Sequence, residues 1–410
     1  MKLHRIAALA LATAAAPLAA KNNPVMAAAE AARAEQLKLL ETLVNIDSGT
    51  GDVAGGTKVQ AIVAERLRGL GLTVRTVPAE APGLPDNLVA TISGKGKGRI
   101  LMIGHIDTVF EPGTAAQRPF HIDGDRATGP GVGDEKGGVV EGITALTLLK
   151  QLNFHDYKSI TFLVETSEER GSPGTRKLID ELVREADVEL NLEPGQPGGA
   201  ITVWRKGSTS FTISVKGRPA HAGVDPQNGR NAAYELIHQL QLADSLPKTG
   251  DGVTANLTIL KAGSRYNIIP EDAQAIINVR VRTKAQGEEV TALLDRNAQN
   301  TLIPDTRVTV THDVSFPPLP NNPATDALAA TADRVAAEIG LKLPHGGNGG
   351  ASESALAYEG GIAALDGLGP IIWYAHSERE YIELPSLTPR LYVLTRLLME
   401  LGKSPPARLK

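Results

Sequence analysis

The chain of 410 residues contains no cysteine. Disulfides, thiolate metal sites and a cysteine nucleophile are therefore excluded. Aromatic residues make up only 4% of it, which argues against the stacking platforms of single-stranded nucleic-acid binders. No long run of either charge is present, and a net charge of −4 implies no polyanion partner. The longest apolar run near the start, residues 6–16, is too short and too Ala-rich to span a bilayer. No other segment approaches a membrane span. Without cysteine, any metal site must be built from His, Asp and Glu, a donor set that suits zinc, cobalt or manganese in an open catalytic geometry.

The first residues have the order of an export signal. A basic start at 1–5 precedes the apolar run, and small residues follow up to Ala20. A signal peptide over 1–20 is expected, with the mature chain exported to the periplasm or secreted. The length of the whole exceeds one ordinary core, so more than one domain is expected.

Apolar periodicity predicts helices over 27–47 and 57–70, then strands at 72–77, 87–92 and 99–104. A helix at 137–151, a strand at 160–164, a helix at 173–185 and a strand at 188–192 follow. This alternation predicts an α/β fold, a mixed, largely parallel sheet sandwiched by helices. Near 206 the pattern changes. Strand 209–216, helix 229–244, strands 254–262 and 274–282, helix 286–299 and strand 306–312 have the β-α-β-β-α-β order of a ferredoxin-like α+β unit. The first style resumes after the Pro-rich stretch at 316–320, with a helix at 324–340, a glycine-rich loop at 346–350, a strand near 362–366 and a helix at 386–401. The expected division is 27–206 and 317–410 for the large unit, with 207–316 inserted.

Acids and a histidine recur at the predicted strand ends. His105 and Asp107 follow 99–104, Glu168 and Glu169 follow 160–164, and Glu193 follows 188–192. In an open parallel sheet these ends share one rim, where ligands gather. His105 can ligate a metal, and Asp107 can hold the other imidazole nitrogen. Asp134 lies in the glycine-rich turn Gly131-Val132-Gly133-Asp134, where a carboxylate can point between two ions. Of the adjacent Glu168 and Glu169, one can ligate while its neighbour takes a proton from the attacking water. Glu193 and His376 would complete the shells. Each motif alone is weak: a lone His-x-Asp is more often a hydrogen-bonded turn, and paired glutamates a solvated helix start. Joint occurrence at successive strand ends carries the inference. The remaining histidines, His4, His121, His155, His238, His312 and His345, lack such context. The glycines at 129–133 do not have dinucleotide spacing, and the acid after them would repel phosphate.

Taken in order, these stretches resemble the M20 family of zinc aminoacylases and carboxypeptidases, and within it the glutamate carboxypeptidases of the carboxypeptidase G type. The resemblance rests on Gly104-His105-Ile106-Asp107-Thr108, Gly133-Asp134-Glu135-Lys136-Gly137-Gly138, Thr166-Ser167-Glu168-Glu169 and Leu192-Glu193-Pro194. It continues through Pro219-Ala220-His221-Ala222-Gly223, Asn267-Ile268-Ile269-Pro270 and His376-Ser377. It implies a zinc-exopeptidase fold with two zinc ions per subunit, cobalt or manganese being substitutes. One ion would sit on His105 and Glu193, the second on Glu169 and His376, with Asp134 bridging. Asp107 would support His105, Glu168 would be the general base and acid, and the Asp134–Glu135 bond would be cis. The inserted unit would be lid and dimer interface. His221 would reach the partner subunit's site in a homodimer, and Asn267 and Arg280 would grip the substrate's terminal carboxylate.

The activity so implied is hydrolysis of the amide bond before a C-terminal amino acid, with N-acyl-glutamate or folate-type conjugates as leading substrates. An aminoacylase or dipeptidase with apolar preference is the alternative. A non-catalytic dimeric binding protein of the same fold is the reading from another class. Residues 309–315 lack an arginine, and the loop Gly369-Pro370-Ile371-Ile372-Trp373-Tyr374-Ala375 is bulkier than the family's glycine-rich version. These departures leave the glutamate preference open, with Trp204, Trp373 and Tyr374 as candidates for substrate contact or for packing.

Overall fold

The computed structural model describes residues 23–409. The export segment read at 1–20 lies outside the described residues. The helices α1 (Pro24–Val44) and α2 (Val53–Leu70) come first. The Asn23 side chain accepts from the Val25 and Met26 amides at 3.0 and 3.3 Å, satisfying donors that a helix start leaves free. Strands β1 (Thr73–Val77), β2 (Asn87–Ser93) and β3 (Arg99–His105) follow, then α3 (Lys136–Gln151), β4 (Ser159–Glu165), α4 (Arg176–Glu185) and β5 (Val188–Asn191). The next unit holds β6 (Gly207–Lys216), α5 (Ala232–Leu242), β7 (Thr254–Ala262), β8 (Asp272–Val281), α6 (Lys284–Ala298) and β9 (Arg307–Phe316). The chain closes with α7 (Pro323–Ala337), β10 (Ala363–Leu365) and α8 (Leu387–Lys403).

The central sheet has the order β1-β2-β4-β3-β5-β10. Only β2 runs against the other strands. Alternation along β3 explains the sandwich. Ile100 and Met102 face a core shared with Leu40 and Leu43 of α1, Val140 of α3 and Leu394 of α8. Leu101 and Ile103 face the opposite side, against Leu178, Ile179 and Leu182 of α4. A strand covered on both faces must be apolar at successive positions. Each such side chain contributes roughly 1.5–3 kcal/mol by burial. Helix α3 lies close over β5, because a Cβ on Gly138 would collide with the Leu192 carbonyl oxygen. That close approach sets Asp134, just before the helix, against the end of β5.

The inserted unit forms an antiparallel sheet of order β7-β8-β6-β9, the ferredoxin-like arrangement. Phe211, Ile213 and Val215 of β6 alternate toward a separate core with Leu236 of α5 and Leu294 of α6. Edge strand β7 leaves Leu257, Ile259 and Leu260 exposed. The two crossings between units run side by side, with Arg205 and Leu319 exchanging backbone hydrogen bonds of 2.9 and 3.1 Å.

Several sequence expectations need correction. The glycine-rich loop at 346–350 begins as a strand, His345–Asn348, which pairs in parallel with Ile201–Arg205. The short strands His121–Asp123, Arg126–Thr128, Gly369–Trp373 and Tyr381–Glu383 join Pro194–Gly195 in a further sheet. Strands of three to five residues are too short to show a period. The helix expected from 229 begins at Ala232, after the Asn231 cap. No helix among the described residues is long and apolar enough to cross a membrane.

Candidate metal centre

Adjacent parallel strands β4, β3 and β5 deliver the predicted acids and histidine to one rim. His105 ends β3, Glu168 and Glu169 occupy a 3-10 turn after β4, and Glu193 lies two residues past β5. Asp134 precedes α3, and His376 lies in the loop after Gly369–Trp373. Asp134 stands between the histidines. Its Oδ1 is 3.2 Å from His105 Nε2, and its Oδ2 is 3.0 Å from His376 Nε2. Glu193 Oε1 is 3.5 Å from His105 Nε2, and Glu169 Oε2 is 3.1 Å from His376 Nε2. The result is two donor trios sharing one carboxylate: His105, Asp134 and Glu193, and Asp134, Glu169 and His376. The first trio is buried, whereas the His376 side chain is 54% exposed. Glu168 Oε2 lies 3.9 Å from His105 Nε2.

Asp107 faces the other imidazole nitrogen of His105 with two oxygens. His105 Nδ1 lies 3.0 Å from the Asp107 main-chain oxygen, against 3.4 Å for the carboxylate. The carboxylate also holds the glutamate turn. Oδ1 accepts from the Glu168 amide at 3.1 Å, and Oδ2 accepts from the Glu169 amide at 3.2 Å and Thr50 Oγ1 at 2.7 Å. The Asp134–Glu135 peptide is cis.

The electrostatics call for a cation. His105 Nε2 and Glu169 Oε1 are buried without a hydrogen-bond partner, although buried polar atoms are normally satisfied. Burial and the nearby Glu353, Glu193 and Glu169 charges push the Glu168 carboxyl well above the usual range. Burial and Asp134 push Glu169 up to about 7. Burial opposes ionisation of Asp134, but His105 and His376 outweigh it and draw the carboxyl down. Contacts with Asp134 and Glu169 raise His376 to about 11. Burial would lower His105, yet Asp107, Asp134 and Glu193 outweigh it and raise the imidazole well above its ordinary value. Protons on histidines and carboxyls thus offset a charge that divalent ions would neutralise. An all-oxygen and imidazole donor set fits zinc, cobalt or manganese.

Around the trios runs a cleft of about 500 Å³, lined by Glu168, Ser208, Asn278, Arg280, Phe316, Ile372 and Tyr374 among others. Arg280 reaches it from β8, and its Nε donates to Asn278 Oδ1 at 2.9 Å. His221 and Asn267 do not line this cleft. They sit together elsewhere on the inserted unit, joined by an Ala222 amide to Asn267 carbonyl bond of 2.9 Å.

Sequence reasoning missed four supporting residues. Glu135 Oε2 accepts from the His105 amide at 3.2 Å. Glu380 Oε1 accepts from the Gly133 and Asp134 amides at 3.0 and 3.3 Å. Asp366 follows β10, so the strand-end rule that found Glu193 also applied to it. Arg205 donates to both Glu193 and Asp366, and its place within a short strand carried no signal.

Fold and site together define a metallopeptidase, and residues 101–400 match peptidase family M20/M25/M40. The chain belongs to this family and is a hydrolase of it. Carboxypeptidase G2 of Pseudomonas sp. (strain RS-16) is 33% identical over 393 residues, covering 93% of each chain. A tripeptidase from Staphylococcus aureus has the same fold, with a TM-score of 0.76 at 22% identity, over 91% of this chain and 99% of that one. A dinuclear metal binding peptidase of the M20 family from Bacillus subtilis superposes with a TM-score of 0.64 at 16% identity, over 92% and 99%.

Proposed function

We propose that the chain is a two-zinc exopeptidase that cleaves the amide bond before a C-terminal amino acid. The observation that carries this is Asp134, whose two oxygens face His105 and His376 at 3.2 and 3.0 Å. His105 and Glu193 would hold one ion, Glu169 and His376 the other, and Asp134 both. When bound, such ions acidify water and polarise a carbonyl. Glu168 takes a proton from the attacking water and returns it to the leaving amine, a role that its burial beside other acids suits. Arg280 supplies a guanidinium for the substrate's terminal carboxylate. N-acyl-glutamate and folate-type conjugates are the leading substrates, supported by the extent of the likeness to carboxypeptidase G2. Phe316, Ile372 and Tyr374 along the cleft favour the second reading, an aminoacylase or dipeptidase with apolar preference.

His221 and Asn267 lie outside their own cleft, which supports their action in a partner subunit. In a homodimer His221 would steady the oxyanion of the tetrahedral intermediate there. The exposed Leu257, Ile259 and Leu260 of β7 suit such an association. The basic-then-apolar start supports export.

The test combines metal analysis with amide hydrolysis over N-acyl amino acids, dipeptides and folates. Glu168→Ala keeps its metal and loses turnover, whereas Glu169→Ala loses metal. Full activity of Glu168→Ala would refute the assigned base. A metal-free native protein, or no turnover across the panel, would favour a binding protein of this fold.

A further inference from the structure

Arg205 ends the strand Ile201–Arg205, two residues before β6 begins, and its backbone pairs with the return crossing at Leu319. It therefore stands at the junction of the two units. Its side chain, 2% exposed, turns back beneath the metal centre. Nε and Nη2 donate to the two oxygens of Asp366 at 2.7 and 2.6 Å. Nη2 also donates to Glu193 Oε2 at 2.9 Å. Asp366 is fixed in turn by the hydroxyls of Ser352 and Ser354 at 2.5 and 2.7 Å. The fork of the guanidinium is thus set from behind, and its remaining reach is directed at one oxygen of Glu193.

This arrangement has a consequence for Glu193. With Oε2 engaged by Arg205, only Oε1 faces His105 Nε2. The carboxylate is also buried beside Asp134, Glu135 and Glu168. Left free, it would be repelled by these acids and would rotate. A rigid, always-charged fork prevents both, which a flexible ammonium does less well. We infer that Arg205 is a positioning residue for the metal position on His105 and Glu193, holding Glu193 as a one-oxygen ligand and tying it to the junction of the units. The inference rests on the two-metal reading.

The test uses the full protein stripped of metal and titrated with Zn²⁺ or Co²⁺ against a chromogenic chelator. Circular dichroism monitors the fold, and Co²⁺ absorption reports ligand geometry. Wild type takes up two ions per subunit. In Arg205→Met the affinity for one of them falls by roughly 10–100-fold, as when the partners of metal ligands are removed, and the Co²⁺ spectrum of that position changes. The other ion stays within a few-fold. Arg205→Lys recovers part of the loss, because an ammonium cannot grip Asp366 in the same bidentate way. The double variant Arg205→Met with Asp366→Asn removes the charge that the single variant leaves unpaired on Asp366 and still frees Glu193 Oε2, so it must show the same one-ion defect. Folded variants that take up both ions as wild type does would overturn the inference. Equal loss of both ions, or a change confined to KM with metal binding intact, would do so too. If every variant fails to fold, Arg205 is a core stabiliser and the inference falls. Should wild type itself bind no metal, it is the two-metal reading that fails.

Discussion

Asp107→Asn isolates a bond pattern that an isosteric amide cannot copy. Both carboxylate oxygens accept from peptide amides, Oδ1 from Glu168 and Oδ2 from Glu169. Asparagine has one oxygen, so either orientation aims an NH2 at a peptide N–H. The cheaper orientation puts the NH2 toward Thr50, whose hydroxyl can accept, and leaves the Glu169 amide unpaired. A hydrogen bond to a charged group contributes about 1.5–3 kcal/mol, so the metal-free protein should lose stability of that order. His105 keeps its bond to the Asp107 main-chain oxygen, and its orientation survives. The defect therefore falls on the Glu168–Glu169 turn. Affinity for the ion on Glu169 and His376, and turnover, should drop by about 10–100-fold, with the His105 position less affected. Urea unfolding, chelator competition and amide hydrolysis measure the three effects. An unfolding free energy within about 0.5 kcal/mol of wild type, with metal affinity and turnover within twofold, would refute the geometry assigned to Asp107.

Arg280→Met should leave metal content intact and raise KM by roughly 10–100-fold through loss of a charge-assisted hydrogen bond; an unchanged KM would remove Arg280 from substrate binding. Co-expressed Glu168→Ala and His221→Ala chains should regain about a quarter of wild-type activity, because one site in each mixed dimer has both groups intact. Activity no higher than that of the separate variants would place His221 outside the partner's site. Glu141 is buried on α3 with neither carboxyl oxygen partnered, and burial pushes it up to about 8. A folded value above the unfolded one means the acid's contribution is fully present below the unfolded value and is lost as pH rises through the folded one. Glu141→Gln should match wild-type stability near pH 4.5, gain on it through the window up to about 8, and stay ahead above it; melting curves of the two proteins that remain parallel across this range would contradict the assignment.

The elements that were legible in advance had a long period or a strong local signal. β3 is apolar at successive positions because both faces are covered, and α5 to β9 kept their order because each element repeats long enough to show its face. His105, Asp107, Glu168, Glu169 and Glu193 were legible for a related reason. They sit where parallel strands end, and strand ends of one sheet share a rim. Other features depended on chain segments far apart in sequence. The strand His345–Asn348 exists through pairing with residues more than a hundred positions away, so its own glycines read as a loop. Arg205 met Asp366 only when Ile201–Arg205 was laid against the end of β10, and its pattern in sequence is that of any basic residue in a short strand.

Residue type and local spacing were thus enough to specify the kind of chemistry, because metal donors and bases are defined by their own functional groups. Which oxygen of Asp107 meets which amide, which oxygen of Glu193 is left for an ion, and which of the two trios lies open to solvent were matters for the folded chain. Such choices turn on tenths of an ångström between segments brought together by packing, and no local pattern encodes that distance.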